Sequence, residues 1–256
     1  MRFCSTEKDK EFDVLIVGGG MIGPSLAAAL SNTPLSSSLR VGIIESKPLE
    51  AEGFFKDTKS LPPIPDLRTC TLSPSTVSFL EAIGVWESIN EMRVAPFYSM
   101  KVWDSLGIGN IEFEASDLNQ TTLGYVAENS IVTGSIFSLL KQQNKVQVFA
   151  PATLKKIEVG NEHKLTAVET SDGMKMSTKL LVGADGVSSV VREKSGISSV
   201  GFSYNQKGVV CTVKLEDPYN TTAWQRFLPE GVIALLPVRL FFIISQKLIY
   251  DQKKAL

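Results

Sequence analysis

A single histidine, His163, is all that 256 residues contain, which removes most histidine-centred triad and metal chemistry at once. The three cysteines (Cys4, Cys70 and Cys211) are odd in number and show no CxxC spacing, so neither a disulfide framework nor a zinc site is supported. Neither charge sign is in excess. The 26 basic and 27 acidic residues leave a net charge of −1, without the basic stripe that nucleic acid needs or a polyacidic tail. Long apolar runs are also missing. The longest, from Val232 to Ile244, is broken by Pro237 and Arg239 and falls short of the ~18 residues of a membrane span. Glu7, Asp9 and Glu11 are among the twelve residues before the first predicted strand, whereas a transit peptide avoids acids. The expectation is a protein that works where it is made, or one whose leader is missing from this sequence. What remains, 43% hydrophobic and 21% charged, is an ordinary globular composition. The length suggests roughly one to two domains and burial of about 75% of the unfolded surface. An enzyme so poor in histidine would leave the hard chemistry to a cofactor.

Residues 13–17, DVLIV, form a β-branched run that ends in Gly18-Gly19-Gly20, as a strand buried on both faces would. A helical stretch follows from Met21, rich in small residues (Ala27, Ala28, Ala29) and with Pro24 in its first turn, where backbone N–H groups lack helical partners anyway. VGIIE at 41–45 is a second apolar strand, which completes a βαβ unit. The Pro-rich stretch from Ser46 to Leu67 reads as a surface loop. Ser73-Pro74 caps a helix whose apolar face carries Val77, Leu80 and Ile83, and Gly84 ends it. Alternation over 99–114 predicts antiparallel strands that turn at Asp104–Gly109. A helix is predicted over about Ser130–Gln142, then strands at 146–158 and 164–170 and a turn at Asp172-Gly173. A further buried strand, KLLVG, is predicted at 179–183, and β pattern returns beyond Gly201.

Gly18-x-Gly20-x-x-Gly23 follows a predicted strand and opens a predicted helix. The first glycine permits a tight turn, the second lets a pyrophosphate approach the backbone, and the third lets helix and strand pack closely. The helix N-terminus offers free N–H groups and positive dipole to phosphate. Glu45 ends the next strand, where its carboxylate can accept hydrogen bonds from ribose hydroxyls. An adenine dinucleotide is the indicated ligand. The second motif is KLLVGADGVSSVVR, residues 179–192, in which Asp185 can tie down a loop and Gly186 allows close approach.

These residues resemble the flavin-dependent aromatic monooxygenases of the p-hydroxybenzoate hydroxylase type. The matching pattern is the glycine turn (Gly18, Gly20, Gly23), an arginine after the second strand region (Arg68), and a strand-GADG-x-x-S-x-h-R motif (Asp185, Gly186, Ser189, Arg192). More narrowly, RTCTLSPSTVSFLEAIGVW, MKVWD, GYVAENSIV and WQRFLPEGVIALLP resemble the ubiquinone-biosynthesis hydroxylases of the eukaryotic, mitochondrial type. The likeness runs from about Phe12 to Pro237. The resemblance implies an α/β fold with a Rossmann-type FAD-binding βαβ domain and parallel sheet, interleaved with a partial, mostly antiparallel β substrate domain. The implied division is 12–95 with 125–195 for FAD, 96–124 with 200–237 for substrate, and an atypical tail at 238–256.

The roles implied by that resemblance are FAD pyrophosphate at Gly18, Gly19, Gly20 and Gly23, ribose at Glu45, and the flavin's phosphate and ribityl path at Arg68. Asp185, with Gly186 and Arg192, would support cofactor binding and reductant access. Arg226 and Phe227 would lie on the substrate-domain sheet facing the flavin, while by residue type Trp103, Trp224 and Phe227 read as core aromatics and not as quinone contacts. No catalytic side chain is assigned. The implied chemistry uses FAD, an external electron donor (NAD(P)H or a ferredoxin system) and O₂ to hydroxylate a polyprenylated phenol. Implied too are peripheral contact with the matrix side of the mitochondrial inner membrane and other ubiquinone-synthesis proteins as partners.

After Pro237 the sequence departs from the family, which continues into further strands and a Gly-Asp motif on the FAD. No Gly-Asp pair occurs in this chain. Apolar strands such as VIALL are therefore expected to lack partners, and a truncated, non-catalytic form of the enzyme stays open beside the working one. A short-chain nicotinamide dehydrogenase is a third reading. Its YxxxK spacing occurs at Tyr250–Lys254, yet the glycine pattern is not TGxxxGxG and no serine stands about a dozen residues upstream.

Overall fold

The computed structural model describes residues 10–36, 38–49, 61–214, 220–238 and 241–249. Cys4, Glu7, Asp9, residues 50–60 of the expected surface loop, and the Tyr250–Lys254 pair lie outside the described residues. In chain order the first elements are β1 (Glu11–Val17), α1 (Ile22–Asn32), β2 (Val41–Ile44), β3 (Thr69–Leu72), α2 (Pro74–Ala82), α3 (Trp86–Asn90) and β4 (Ala95–Phe97). Next come β5 (Ser99–Asp104), β6 (Asn110–Glu114), a 3-10 turn at Ala115–Leu118, β7 (Gly124–Glu128), α4 (Asn129–Gln143), β8 (Val146–Phe149) and β9 (Leu154–Glu158). The last are β10 (Thr166–Thr170), β11 (Lys175–Gly183), α5 (Val190–Lys194), β12 (Gln206–Val213), β13 (Thr222–Leu228), β14 (Gly231–Val238) and β15 (Phe241–Ile249).

These elements form two compact units. The first draws on Met1–Phe55, Ala82–Val85 and Val132–Val200, and the second on Lys56–Glu81, Trp86–Ile131 and Gly201–Leu256. The grouping differs from the expected 12–95 and 125–195, because β3 and β4 both hydrogen-bond to β7 and so join the second unit.

The first unit holds a six-stranded sheet in the order β8-β2-β1-β11-β10-β9. Its left four strands are parallel and the rest is an antiparallel meander. From β1 the chain passes to β2 on one side, while β11 pairs on the other, so the topological switch point falls at the C-terminal end of β1. The core is built by the runs read as buried strands: Phe12, Leu15, Ile16, Ile43 and Ile44 are all at most 1% exposed. The predicted span 146–158 divides into β8 and β9, which join opposite edges of the sheet. One expectation is corrected here. KLLVG is not buried on both faces; Leu180 is 54% exposed. Leu181 packs against the buried cluster on one face of β11, while Leu180 lies on the face left open.

The second unit pairs a three-stranded sheet, β3-β7-β4, with a six-stranded sheet, β12-β15-β14-β13-β5-β6. The larger sheet is antiparallel except for β13 with β5. Phe97 and Val126 of the small sheet pack against Ala223 and Val238 of the large one. Here the tail expectation fails. β15 fills the slot between β12 and β14 and pairs with both along its length, so the VIALL strand has partners on each side. A nine-residue run with no Gly-Asp motif still carries β-branched and aromatic residues, and that is enough to satisfy two open strand edges.

Candidate cofactor site

The glycine turn is shaped by contacts that the backbone makes with itself. Gly18 has φ +115°, and a Cβ there would sit 2.3 Å from the Ala184 carbonyl oxygen. At Gly23 a Cβ would meet the Gly18 carbonyl oxygen at 2.0 Å, so the third glycine is what lets α1 start against β1. At Gly19 it would strike the Glu45 side chain at 2.8 Å. Gly20 is different: a Cβ there meets nothing within 4 Å. Gly20 also lines a cleft of about 440 Å³, together with Gly18, Glu45, Lys47, Thr153, Asp185 and Gly186 among others. α1 has eleven residues, with no side-chain N-cap and no acidic residue in its first turn. The first turn of α1 therefore carries no acidic residue of its own against the positive end of the helix dipole.

Glu45, only 8% exposed, closes one wall. Its Oε2 accepts the Gly19 N–H at 2.5 Å, and Oε1 accepts the Lys47 N–H at 2.7 Å and the Ser46 hydroxyl at 3.1 Å. A carboxylate offers about four acceptor positions, so one is left for a ribose hydroxyl after the loop has been fastened. On the opposite wall Asp185 accepts from the Ser189 hydroxyl at 2.6 Å and from the Val190 and Val191 N–H groups at 2.6 and 3.1 Å. Burial alone would raise the Asp185 pKa. The hydrogen bonds from Ser189 and from the Val191, Asp185 and Val190 N–H groups outweigh it and hold the carboxyl below its ordinary value. Ser189 in turn caps α5 by accepting the Arg192 N–H at 3.0 Å.

The two motifs meet although 162 residues separate Gly23 from Asp185. Val17 lies opposite Gly183 in the parallel register, the Ala184 N–H donates to the Val17 carbonyl at 2.7 Å, and the Gly18 N–H donates to the Ile44 carbonyl at 2.8 Å. Both turns thus emerge at the same end of the sheet. Other proposed residues fall elsewhere. Arg192 does not line the cleft; its guanidinium donates to the Val187 carbonyl at 2.7 Å and so braces the loop after Asp185. Arg68 belongs to the second unit, just before β3, with an exposed side chain 3.6 Å from Asp66. Arg226 and Phe227 are adjacent on β13 and project from opposite faces, so they cannot both face one ligand. Arg226 stands 5.8 Å from the Trp103 ring centroid and helps line a hollow of about 260 Å³ with Trp103, Trp224, Ile233 and Leu235. Phe227 is 51% exposed and Trp103 and Trp224 are half-buried, edge-to-face at 6.0 Å, so the expected aromatic core is instead the wall of an open hollow. His163 is exposed in its hairpin, and burial pushes the Cys70 thiol above its ordinary pKa.

Sequence reasoning missed Lys47 and the Ala152–Leu154 strip, both of which line the cleft. Their signal was positional. They follow β2 and β8, and segments just beyond the C-terminal ends of parallel strands surround the ligand crevice in open α/β sheets.

A mixed α/β sheet with four parallel strands, a glycine turn, a carboxylate at the end of β2 and an acid-tied loop at one crevice defines a dinucleotide-binding protein. The particular group is the FAD binding domain family, to which the chain belongs; the match covers residues 11–251, including the segment after Pro237. The chain is 34% identical over 269 aligned positions to the ubiquinone biosynthesis monooxygenase COQ6, mitochondrial, of Dictyostelium discoideum, covering 93% of this chain and 53% of that protein. It is 35% identical to the protein of the same name from Xenopus tropicalis (93% and 51% covered) and 31% identical to the 3-demethoxyubiquinol 3-hydroxylase of Escherichia coli (88% and 54%). The chain spans about half the length of these relatives. Among solved structures, P. aeruginosa PqsL in complex with 2-aminobenzoylacetate superposes with a TM-score of 0.74 at 17% identity, covering 93% of this chain and 61% of that one. The p-nitrophenol 4-monooxygenase PnpA of Pseudomonas putida superposes at 0.73 and 17%, covering 96% and 60%. These likenesses establish the fold.

Proposed function

We propose that this chain binds FAD and acts as a flavin-dependent monooxygenase that hydroxylates the aromatic ring of a polyprenylated ubiquinone precursor. The observation that carries the reading is the convergence of the Gly18–Gly23 turn, Glu45 and the Asp185 loop on one crevice, in a chain of the FAD binding domain family. The relatives named for ubiquinone biosynthesis supply the substrate class. The α1 N-terminus and the backbone at Gly20 would hold the pyrophosphate, Glu45 would orient the ribose, and the Asp185-tied loop with Gly186 would close the far wall. Arg68 is assigned to the ribityl path on the family resemblance, and Arg226, with the Trp103–Trp224 hollow, to the substrate side. When bound, FAD supplies the activation of O₂, with electrons from NAD(P)H or a ferredoxin system. The chain's own residues bind, orient and shield.

Among the described residues no helix is long and apolar enough to cross a membrane. We infer peripheral contact with the inner mitochondrial membrane, in keeping with the mitochondrial names of the relatives and a polyprenyl substrate. Partner proteins of ubiquinone synthesis belong to the same proposal. The test is to titrate the 256-residue chain with FAD by flavin fluorescence and then assay O₂- and donor-dependent hydroxylation of a polyprenyl phenol in vesicles. One FAD per chain with turnover supports the proposal. Stoichiometric flavin without turnover supports a FAD-binding chain alone, and no flavin binding overturns both.

A further inference from the structure

Within the second unit, β5 and β6 are joined by the turn Ser105-Leu106-Gly107-Ile108-Gly109. Leu106 is 80% exposed and Ile108 102%, so neither apolar side chain is covered by the described residues. A Cβ at Gly109 would meet nothing within 4 Å, and one at Gly107 nothing nearer than 3.8 Å. The two side chains therefore stand clear of the fold as a knob. Behind them Ile111 and Phe113 of β6 and Phe227 of β13 share one face of the sheet by register, each about half exposed. β6 is the outer strand of that sheet, so this face runs to an open edge. Exposed apolar residues scattered singly need no account, but five gathered on one hairpin and its neighbouring strand mark an interaction surface.

Shape, backbone bonding and charge indicate what the surface takes. A projecting knob is buried best by a medium that closes around it. The turn also keeps donors occupied. The Asp104 N–H donates to the Gly109 carbonyl at 3.0 Å, the Ser105 N–H to the Phe227 carbonyl at 3.0 Å, and the Leu106 N–H to Asp104 Oδ1 at 2.9 Å. Entry into hydrocarbon is costly where backbone N–H groups go unpaired, and these three are paired. Just before the turn, the Trp103 ring lies 5.8 Å from the Arg226 guanidinium. Tryptophan and long cationic side chains suit the boundary between headgroups and acyl chains. The Asp104 carboxylate limits the depth, so Leu106 and Ile108 enter while the strands stay outside. Charges near the tip balance: Lys101 lies 3.4 Å from Glu112, and Arg226 offsets Asp104.

We propose that the β5–β6 hairpin is the membrane-contact element of this protein, inserting Leu106 and Ile108 into the surface layer of a bilayer without need of anionic lipid. The proposal rests on the reading of peripheral membrane contact and names the surface that makes it.

The test is sedimentation of the 256-residue chain with phosphatidylcholine vesicles, alone or mixed with phosphatidylglycerol, at low and high salt. It compares wild type, the double variant Leu106→Ser/Ile108→Ser, and Leu35→Ser, an exposed leucine of the first unit. Wild type and Leu35→Ser are expected to bind both kinds of vesicle alike, with little effect of salt. Burying one leucine or isoleucine side chain is worth about tenfold to a hundredfold in partition. The double variant should therefore bind about a hundredfold more weakly or worse, with unchanged circular dichroism. A double variant that binds like wild type overturns the hairpin and leaves the reading of membrane contact standing. Wild type that binds neither vesicle overturns both. An equal loss in Leu35→Ser overturns the assignment to the hairpin, and binding to anionic vesicles alone, lost at high salt, overturns the insertion. A wild-type dimer in gel filtration that the double variant abolishes, without vesicle binding, gives the tip to a second copy and overturns the proposal.

Discussion

Replacing Gly20 by aspartate separates the cofactor site from the fold more cleanly than any other single change. A Cβ at Gly20 meets nothing within 4 Å and the residue is exposed, so a side chain there disturbs no packing. Its stability should stay within about 0.5 kcal/mol of wild type, as for surface substitutions in general. The same open space is where the pyrophosphate would approach the backbone. A carboxylate placed about 4 Å from one phosphate charge repels it by roughly 1 kcal/mol in water and about 4 kcal/mol at the effective dielectric near a protein surface. At 1.4 kcal/mol per decade, FAD affinity should fall on the order of tenfold to a thousandfold. Gly20→Ala, which adds bulk without charge, should lose less. Fluorescence titration with FAD, alongside thermal unfolding monitored by circular dichroism, reads both quantities. Undiminished FAD affinity in a folded Gly20→Asp chain would refute the phosphate-site assignment, and an unfolded chain would refute the claim that Gly20 faces open space.

Gly23→Ala should show the reverse: a clash at 2.0 Å with the Gly18 carbonyl costs about 1–3 kcal/mol of stability in chemical denaturation. Asp185→Ala removes the tie on α5 and should cost on the order of 1–2 kcal/mol, with Asp185→Asn milder because one acceptor oxygen survives. Because the folded pKa of Asp185 lies below its ordinary 3.8, its contribution to stability is complete above that pH and is lost as pH falls through the folded value, so stability in chemical denaturation should drop on acidification below about pH 4, and less so in Asp185→Asn. Arg226→Ala should shift tryptophan emission by removing the cation above Trp103, a contact worth about 0.5–1 kcal/mol, whereas Phe227→Ala, on the other face, should not. Leu15→Ala, at a position 0% exposed, should cost about 2–5 kcal/mol in urea denaturation.

Local chemistry made much of this legible without coordinates. A β-branched run, a glycine turn and an alanine-rich stretch specify β1, the phosphate loop and α1, because each depends on neighbours within about ten residues. Ser73 caps α2 through its hydroxyl at 3.3 Å from the Thr76 N–H, and Gly84 leaves that region at φ +79°, both foreseeable from residue type. Asp185-Gly186 as a tied turn belongs to the same class.

Only the tertiary structure decided what depends on partners distant in sequence. Two buried apolar strands pointed to one parallel sheet with both turns at one end, and the parallel register that sets Val17 beside Gly183 fixes how they meet. β15 belongs between β12 and β14 because it pairs with both of their edges, although the segment after Pro237 was expected to depart from the family and the match in fact runs through it. Arg192 turned to its own loop and left the cleft, since the Val187 carbonyl lay within reach of a short helix. Alternation along β13 parted Arg226 from Phe227, which the family resemblance had placed together. Arg93 and Glu128, residues 35 apart, form a buried ion pair at 2.6 Å, and in sequence these two charges look like any solvated pair. Residue type specifies which bonds a group can make, while the fold decides which partner is near enough to make them.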